Sequence, residues 1–267
     1  MKKIFGLSLC VCAALGIFVK LDYDKFCQSG GFVLEYHGVG FEPWGKTLVM
    51  TPEIFESHLQ YLQDKGYKMV TVKELMGDLR AGNDVSRKIA LSFDDGYKNN
   101  YTYALPLMKK YGAHGTFHII NNRIGTDTIY MNEGEIHAML AAGMEIGSHT
   151  FSHNPLGDIE EKYYDWETGV SKYDLERRFP GLIVETMAYP NGSYNPKIIA
   201  KLKEHGFKQG LTGSLYLVDK KMVENNPMET ARVIIEDDGS QPGRFPWLIQ
   251  RAYKKSYLRA RGIDVGD

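Results

Sequence analysis

Short apolar segments alternate with helix-like segments along this 267-residue chain, and this alternation limits its fold more than any other feature. Repeated strand-helix units build parallel sheets covered by helices, and their number here favours a closed barrel over an open sheet. The expected fold class is therefore α/β, a distorted (β/α) barrel in a single domain. Strands are predicted over 32–36, 68–72, 89–93, 115–119, 144–148, 185–189, 207–212 and 231–235, and helices over 52–65, 71–81, 100–111, 132–142, 159–178 and 195–205.

Helix boundary signals support this division of the chain. Thr51 before Pro52 and Asn195 before Pro196 each combine an N-cap residue with a proline in the first turn. No linker rich in proline, glycine or serine divides the chain, so one catalytic domain is the simplest arrangement. Glycines that typically end helices follow five of the predicted ones, at Gly66, Gly82, Gly112, Gly143 and Gly206.

The N-terminal segment is predicted to direct export. Lys2 and Lys3 precede an apolar run over 4–19, which is typical of an export signal. No small-x-small cleavage site precedes Lys20, so a cleaved peptide and an uncleaved anchor remain open. We therefore expect residues 1–30 to be a signal peptide or anchor with a short polar linker, and 31–267 to be a domain that acts outside the cell, secreted or held at the outer face of the cytoplasmic membrane. The formal net charge of -1 predicts no nucleic-acid partner.

Two adjacent acids follow one of the predicted strands. Asp94 and Asp95 come directly after the strand over 89–93 and are followed by Gly96. Barrel folds place their active sites at the carboxyl ends of the strands. Adjacent side chains on an extended chain point to opposite sides, so one acid can bind a metal while the other accepts a proton. An Asp-Asp-Gly turn without chemistry is the structural alternative.

Two histidines four residues apart, His149 and His153, follow another predicted strand. In a helical turn this spacing places both imidazoles on one face, and neutral imidazole is a common zinc ligand. Two histidines and one aspartate leave positions open for water and substrate. The sequence therefore predicts a catalytic site for a divalent metal ion, with zinc favoured. Four histidines lack a partner pattern, and most of them are expected at the surface or the core edge: His58, His114, His118 and His137.

These segments resemble the first two motifs of the polysaccharide deacetylase family, also called the NodB-homology or carbohydrate esterase family 4 group. Residues 92–96 (SFDDG) and 148–153 (SHTFSH) match in order and separation, and 188–192 (AYPNG) is similar to the third motif, which lines the substrate groove. The resemblance spans at least 33–235. It implies Asp94 as general base, a metal triad of Asp95, His149 and His153, the backbone N–H of Tyr189 as oxyanion donor, and a groove lined by Pro190, Asn191 and Gly192.

Two parts of the family pattern are missing. Ala188 stands where an arginine usually orients the base, and no histidine follows His205 to supply the usual late general acid. Residues 32–39 (FVLEYHGV) are similar to the opening strand of the biofilm poly-N-acetylglucosamine deacetylase branch, which implies His37 as general acid, with a structural histidine as the alternative. Arg232 is nominated for the missing arginine, although an arginine at a strand start is more often a surface residue.

The resemblance implies removal of N-acetyl groups from N-acetylglucosamine residues of an extracellular polysaccharide, with poly-β-1,6-N-acetylglucosamine favoured. Peptidoglycan N-acetylglucosamine is the nearest alternative, followed by chitin oligomers and O-acetylated xylan. A non-catalytic carbohydrate-binding protein on the same fold is the alternative from another class, since two parts of the pattern are missing. The N-terminal segment also allows association with a membrane.

Overall fold

The computed structural model describes residues 19–41, 48–235 and 244–263. Seven parallel strands close into a barrel, and helices surround it. Within these ranges the strands are β1 (Gly30–Tyr36), β2 (Gly38–Val39), β3 (Val49–Met50), β4 (Lys68–Val70), β5 (Lys88–Phe93), β6 (Gly115–Ile119), β7 (Glu145–Ser148), β8 (Thr186–Ala188), β9 (Gln209–Gly213), β10 (Val218–Asp219) and β11 (Thr230–Ile234). The barrel order is β1-β11-β9-β8-β7-β6-β5, and β5 pairs back with β1.

Strand β1 closes the barrel. Leu34 pairs with Leu91 of β5 on one side and with Val233 of β11 on the other. The prediction of an α/β barrel is confirmed, and each of the eight predicted strands is present. The strand predicted over 68–72 lies outside the ring, because β4 pairs along the first half of β5 while β6 pairs along the second half. The short β10 runs antiparallel to the start of β1, and β2 pairs with β3.

The helices of the described residues lie around this barrel. The helix predicted over 159–178 is interrupted: Glu161–Tyr163 form a 3-10 turn, Trp166–Val170 form a π turn, and only the last part is α-helical. Gly169 in the π turn packs against the His205 ring, where an added Cβ would lie 2.6 Å from Cε1. The α-helices are α1 (19–27), α2 (Pro52–Asp64), α3 (Val72–Ala81), α4 (Leu105–Lys110), α5 (Glu133–Ala141), α6 (Ser171–Arg178), α7 (Pro196–Glu204), α8 (Lys220–Asn225) and α9 (Arg244–Arg259).

Helices α1, α8 and α9 were not among the predicted helices. Helix α9 covers the outside of the barrel: Phe245 stacks on His58 with ring centroids 4.0 Å apart, and Tyr253 contacts Phe32 edge-on at 4.6 Å. Among the described residues no helix is both long enough and apolar enough to cross a membrane. Residues 1–18, which carry most of the apolar run of the predicted export signal, lie outside the described part of the chain.

Strand alternation gives the barrel wall two different faces. In β1, Phe32, Leu34 and Tyr36 belong to the large apolar core between barrel and helices. Glu35, on the other face, points into the barrel, where it meets Arg232 of β11. The interior is therefore polar near the carboxyl ends of the strands, and this is where the predicted site residues lie.

Candidate active site

The predicted metal ligands lie together at the carboxyl ends of β5 and β7. Asp95 Oδ1 is 3.5 Å from His149 Nε2 and 3.2 Å from His153 Nε2, and one donor atom from each residue lies within 4.8 Å of the others. Asp95 and His149 are buried, whereas the His153 side chain is 35% exposed. Two residues of the cluster are therefore buried in the protein, and the third is accessible from solvent.

Left-handed backbone, rather than a helical turn, brings the two histidines together. Residues 149–153 form no helix, so the expected helical placement is wrong. Thr150 and His153 have φ values of 68° and 67°, and Asp95 has a φ of 70°. Such conformations cost roughly 1–3 kcal/mol each for non-glycine residues and concentrate at functional sites. The Thr150 hydroxyl oxygen accepts a hydrogen bond from the His153 amide at 2.8 Å and fixes this loop.

The donor set fits a zinc-type ion. His149 Nδ1 donates to the Ala188 carbonyl oxygen at 2.8 Å, so Nε2 is the ring nitrogen that faces Asp95 and is placed to bind a metal. Burial alone would raise the pKa of Asp95, but hydrogen bonds from His149 and His153 outweigh burial and hold that pKa far below its usual value. Two imidazole nitrogens and one carboxylate oxygen are the ligands that catalytic zinc sites commonly use.

Asp94 lies beside this cluster but has entirely different partners. Both carboxylate oxygens pair with Arg232, Oδ1 with Nη1 at 2.7 Å and Oδ2 with Nη2 at 2.8 Å. Each residue is only 2% exposed, so Arg232 is not the surface residue that its sequence position favoured. Burial raises the pKa of Asp94, but Arg232 and His149 more than reverse this and hold the pKa well below its usual range. Asp94 is therefore an oriented carboxylate, as a general base requires.

His118 of β6 also contacts Asp94. It is 0% exposed, so it is an exception among the histidines that are mostly expected at the surface or core edge. Its Nδ1 lies 3.3 Å from Asp94 Oδ1, and its Nε2 lies 3.2 Å from the Thr186 hydroxyl. Burial lowers the pKa of His118 to about 4, so the ring is neutral near pH 7. The available signal was its place in an apolar strand that neighbours the strand before Asp94.

His37 follows β1 directly and lines the same cavity as Asp94 and Asp95. Its carbonyl oxygen accepts a hydrogen bond from Asn100 Nδ2 at 2.9 Å, and its Nε2 lies 4.0 Å from Glu35 Oε1. Sequence reasoning gave Glu35 no role, although a residue two positions before His37 in a strand shares its face. Glu35 Oε2 lies 3.1 Å from Arg232 Nη2. Burial raises the pKa of the Glu35 carboxyl, while Arg232 acts against this shift.

The third motif requires one correction. The Tyr189 amide donates to the Leu211 carbonyl oxygen at 3.1 Å in the β8–β9 ladder, so it is not free to stabilise an oxyanion. The Tyr189 hydroxyl is also used, because it donates to the Met228 carbonyl oxygen at 2.9 Å. Two residues later, Asn191 lines the cavity with a φ of 54°, and its amide has no hydrogen-bond partner in the described parts of the chain. The candidate oxyanion donor is therefore the Asn191 amide.

One cavity of about 420 Å³ unites these groups. We call the metal-ligand candidates the metal side of this cavity, and the acid-base candidates around Asp94 its acid-base side. Pro190 is buried within the turn and does not line this cavity, so its predicted place in the groove is wrong. The predicted residues at its wall are His37, Asp94, Asp95, His149, His153, Tyr189, Asn191, Gly192 and Arg232, and Glu35 joins them.

Sequence comparisons find known proteins that are similar to this chain. The polysaccharide deacetylase family profile matches residues 81–210. YxkH of Bacillus subtilis, provisionally named a polysaccharide deacetylase, is 31% identical over 181 residues, which are 67% of this chain and 63% of YxkH. The chain thus spans less than two thirds of that relative. The poly-β-1,6-N-acetyl-D-glucosamine N-deacetylase of Staphylococcus epidermidis is 27% identical over 255 residues, which cover 82% of this chain and 86% of the relative.

Solved structures share the same architecture. BC0361, a polysaccharide deacetylase from Bacillus cereus, superposes with a TM-score of 0.73 at 26% identity, over 83% of this chain and 69% of that chain. The Streptococcus pyogenes deacetylase PplD gives a TM-score of 0.74 at 22% identity, over 83% and 98% of the two chains. IcaB from Ammonifex degensii gives 0.69 at 24% identity, over 84% and 97%. The last two similarities establish the fold alone.

Proposed function

Because the chain belongs to the polysaccharide deacetylase family, we propose that it hydrolyses the N-acetyl groups of N-acetylglucosamine residues in an extracellular polysaccharide. One observation carries the proposal: a buried carboxylate, Asp94, is clamped by Arg232 beside an Asp-His-His cluster in the same cavity. The products are acetate and a free amine on the polymer. Arg232 also removes one reason for a non-catalytic alternative, since it contacts the base although Ala188 replaces the usual arginine.

A divalent ion, with zinc favoured, would be held by Asp95, His149 and His153. When bound, such an ion supplies a Lewis acid that polarises the acetyl carbonyl and acidifies water. The buried Asp95 and His149 offer fixed donor atoms, and the partly exposed His153 leaves the approach from the cavity open.

The protein groups divide the proton transfers between them. Asp94 takes the proton from water as the water oxygen attacks the acetyl carbon, with Arg232 holding the carboxylate in place. The Asn191 amide donates to the acetyl oxygen as negative charge develops there. His37 gives a proton to the nitrogen as the carbon-nitrogen bond breaks, so the amine leaves uncharged.

Poly-β-1,6-N-acetylglucosamine is the favoured polymer. The S. epidermidis relative named for that substrate matches 82% of the chain, and β1 followed by His37 is present as the biofilm-branch resemblance expects. Action outside the cell, either secreted or anchored through residues 1–30, belongs to the same proposal. Peptidoglycan N-acetylglucosamine remains the nearest alternative substrate.

Acetate release tests the proposal directly. The full-length protein is incubated with poly-β-1,6-N-acetylglucosamine, peptidoglycan, chitin oligomers and O-acetylated xylan, each with chelator and with added zinc. We expect release to be fastest from the first polymer, to stop with chelator and to return with zinc. Polymer capture that survives chelator, with no acetate released under any metal, would instead indicate a carbohydrate-binding protein.

A further inference from the structure

Glu35 is a charged residue in the cavity that the proposed reaction does not use. Its side chain is 9% exposed, and its two oxygens have different surroundings. Oε2 is buried and forms an ion pair with Arg232 Nη2 at 3.1 Å, but it accepts no hydrogen bond from the residues that the structure describes. Oε1 faces His37 and accepts no hydrogen bond from any residue that the structure describes. Oε2 is therefore held by the charge of Arg232, and Oε1 is available to a group that enters the cavity.

The distance between Glu35 and His37 leaves room for a third group. Oε1 and His37 Nε2 are 4.0 Å apart, which is too far for a hydrogen bond between them. A nitrogen atom at a hydrogen-bonding distance of about 2.9 Å from each fits between them, because two such distances together exceed the separation. That nitrogen could donate to Oε1 and accept a proton from Nε2 at the same time.

A second metal ion at this place is the obvious competing interpretation. Glu35, His37 and Asp94 also bring donor atoms within 4.8 Å of one another. However, the Arg232 guanidinium already lies 2.7 Å from Asp94 and 3.1 Å from Glu35. A further cation would be repelled by this fixed positive charge. A neutral N–H donor meets no such penalty.

We propose that Glu35 Oε1 accepts a hydrogen bond from the N–H of the acetamido group that is hydrolysed, and so selects N-acetyl over O-acetyl groups. The inference rests on the proposed function and names the substrate group that this function acts on. An acetamido nitrogen carries a hydrogen, whereas the ester oxygen of an O-acetyl group presents only lone pairs to the carboxylate. A site built around a substrate N–H rejects an analogue that lacks it, because its own acceptor is then left unpaired.

The same contact orients the leaving group. As water adds to the acetyl carbon, the nitrogen gains a basic lone pair and keeps its hydrogen. With that hydrogen directed at Glu35, the lone pair points toward His37 Nε2, which transfers its proton as the carbon-nitrogen bond breaks. Glu35 keeps its protonation state throughout, His37 becomes neutral, and the bonding electrons stay on the nitrogen as the free amine.

Two matched substrates test the assignment in the full-length, zinc-loaded protein. One is an N-acetylglucosamine oligosaccharide, and the other carries the acetyl group as an ester oxygen at the same sugar position. We expect Glu35→Gln to lower kcat/KM for the amide by at least about tenfold and to change the ester rate by less than about threefold. Glutamine has nearly the same shape, but its neutral amide oxygen is a weaker acceptor for the substrate N–H than a carboxylate, and its own N–H can turn toward an ester oxygen. Glu145→Gln is the control, since this carboxyl lies at the opposite end of the barrel, at the start of β7.

Each outcome gives a decision. Equal losses on both substrates would show that Glu35 acts only through Arg232 and Asp94, and would overturn the proposal. An unchanged amide rate, or ester hydrolysis that stays undetectable in both proteins, would also overturn it. If Glu35→Gln does not fold, as judged by its melting temperature, Glu35→Ala carries the same ratio measurement. A wild-type protein that is inactive on every acetylated substrate would contradict the proposed function itself, which is a different result.

Discussion

The two sides of the cavity are built in different ways. The metal side takes Asp95, His149 and His153 from two short segments, and each segment directly follows a barrel strand. The acid-base side joins Asp94 to Arg232, which lies 138 residues later in the sequence. The metal ligands come from short sequence segments that can be recognised one by one. The contact between Asp94 and Arg232 forms only after the barrel has closed. Local motifs therefore reveal the metal side, and long-range packing decides the acid-base side.

Loss of a metal ligand should have the largest effect. We expect His149→Ala to lower kcat/KM by roughly 10³-fold or more, because the Lewis acid supplies several kcal/mol of transition-state stabilisation. Bound zinc per protein, measured by elemental analysis, should fall with activity. His205→Ala is a matched control, since His205 pairs with Asp165 away from the cavity. A variant that loses activity but keeps full zinc would contradict the assignment of His149 to the metal side.

Changing the arginine should separate the two sides. We expect Arg232→Lys to lower kcat by about 10²-fold with zinc content unchanged, because lysine keeps the charge but cannot make the two-point contact with Asp94. Kinetics and zinc content are measured on the same preparation, and a thermal melt checks the fold. Zinc loss in parallel with activity would show that the two sides are not independent.

His118 should produce a smaller change on the acid-base side. Replacing it with phenylalanine keeps a ring of similar size but removes the contact with Asp94 Oδ1, so we expect kcat to fall about tenfold with zinc retained. His118→Asn, whose amide can still donate toward Asp94, should recover part of that loss. If both variants match the wild type, Arg232 alone orients Asp94.

The barrel and the two adjacent acids could be predicted from the sequence because both leave local patterns. Features without a local pattern could not be predicted. Buried parallel strands give apolar runs, and Asp94 and His149 follow such runs directly. The π turn at Trp166–Val170 and the left-handed residues of the histidine loop left no periodic signal. Neither Glu35 nor His118 could be assigned, because their partners lie on other strands and only barrel closure brings them together.

The free Tyr189 amide that the resemblance implied is excluded by a similar long-range effect. Its partner, Leu211, lies on the neighbouring strand β9, so the ladder and not the motif determines which amide is available. The turn over Pro190–Gly192 then presents the next free amide, that of Asn191. A single hydrogen bond between strands thus moves the expected oxyanion donor by two residues.

Substitution of His58 should have the smallest effect on catalysis. His58 lies outside the acid-base side of the cavity. Like His118 it is buried and has a pKa lowered to about 4, but it lies outside the barrel, stacked on Phe245. In the unfolded chain its pKa returns to about 6.5. Between pH 6.5 and 4, the unfolded state therefore binds a proton at His58 that the folded state does not bind. His58 therefore costs no stability above pH 6.5, and the cost grows as the pH falls toward 4.

Urea unfolding of the wild type and of His58→Leu at pH 7 and pH 4.5 isolates this contribution. Other groups titrate in both proteins and cancel in the comparison. We expect the loss of unfolding free energy between the two pH values to be smaller in the variant by roughly 2 kcal/mol. At pH 7 its kcat should equal that of the wild type, since His58 contacts Tyr36 and Phe245 and does not line the cavity. A lower kcat would show that His58 influences the acid-base residues through its contact with Tyr36 of β1.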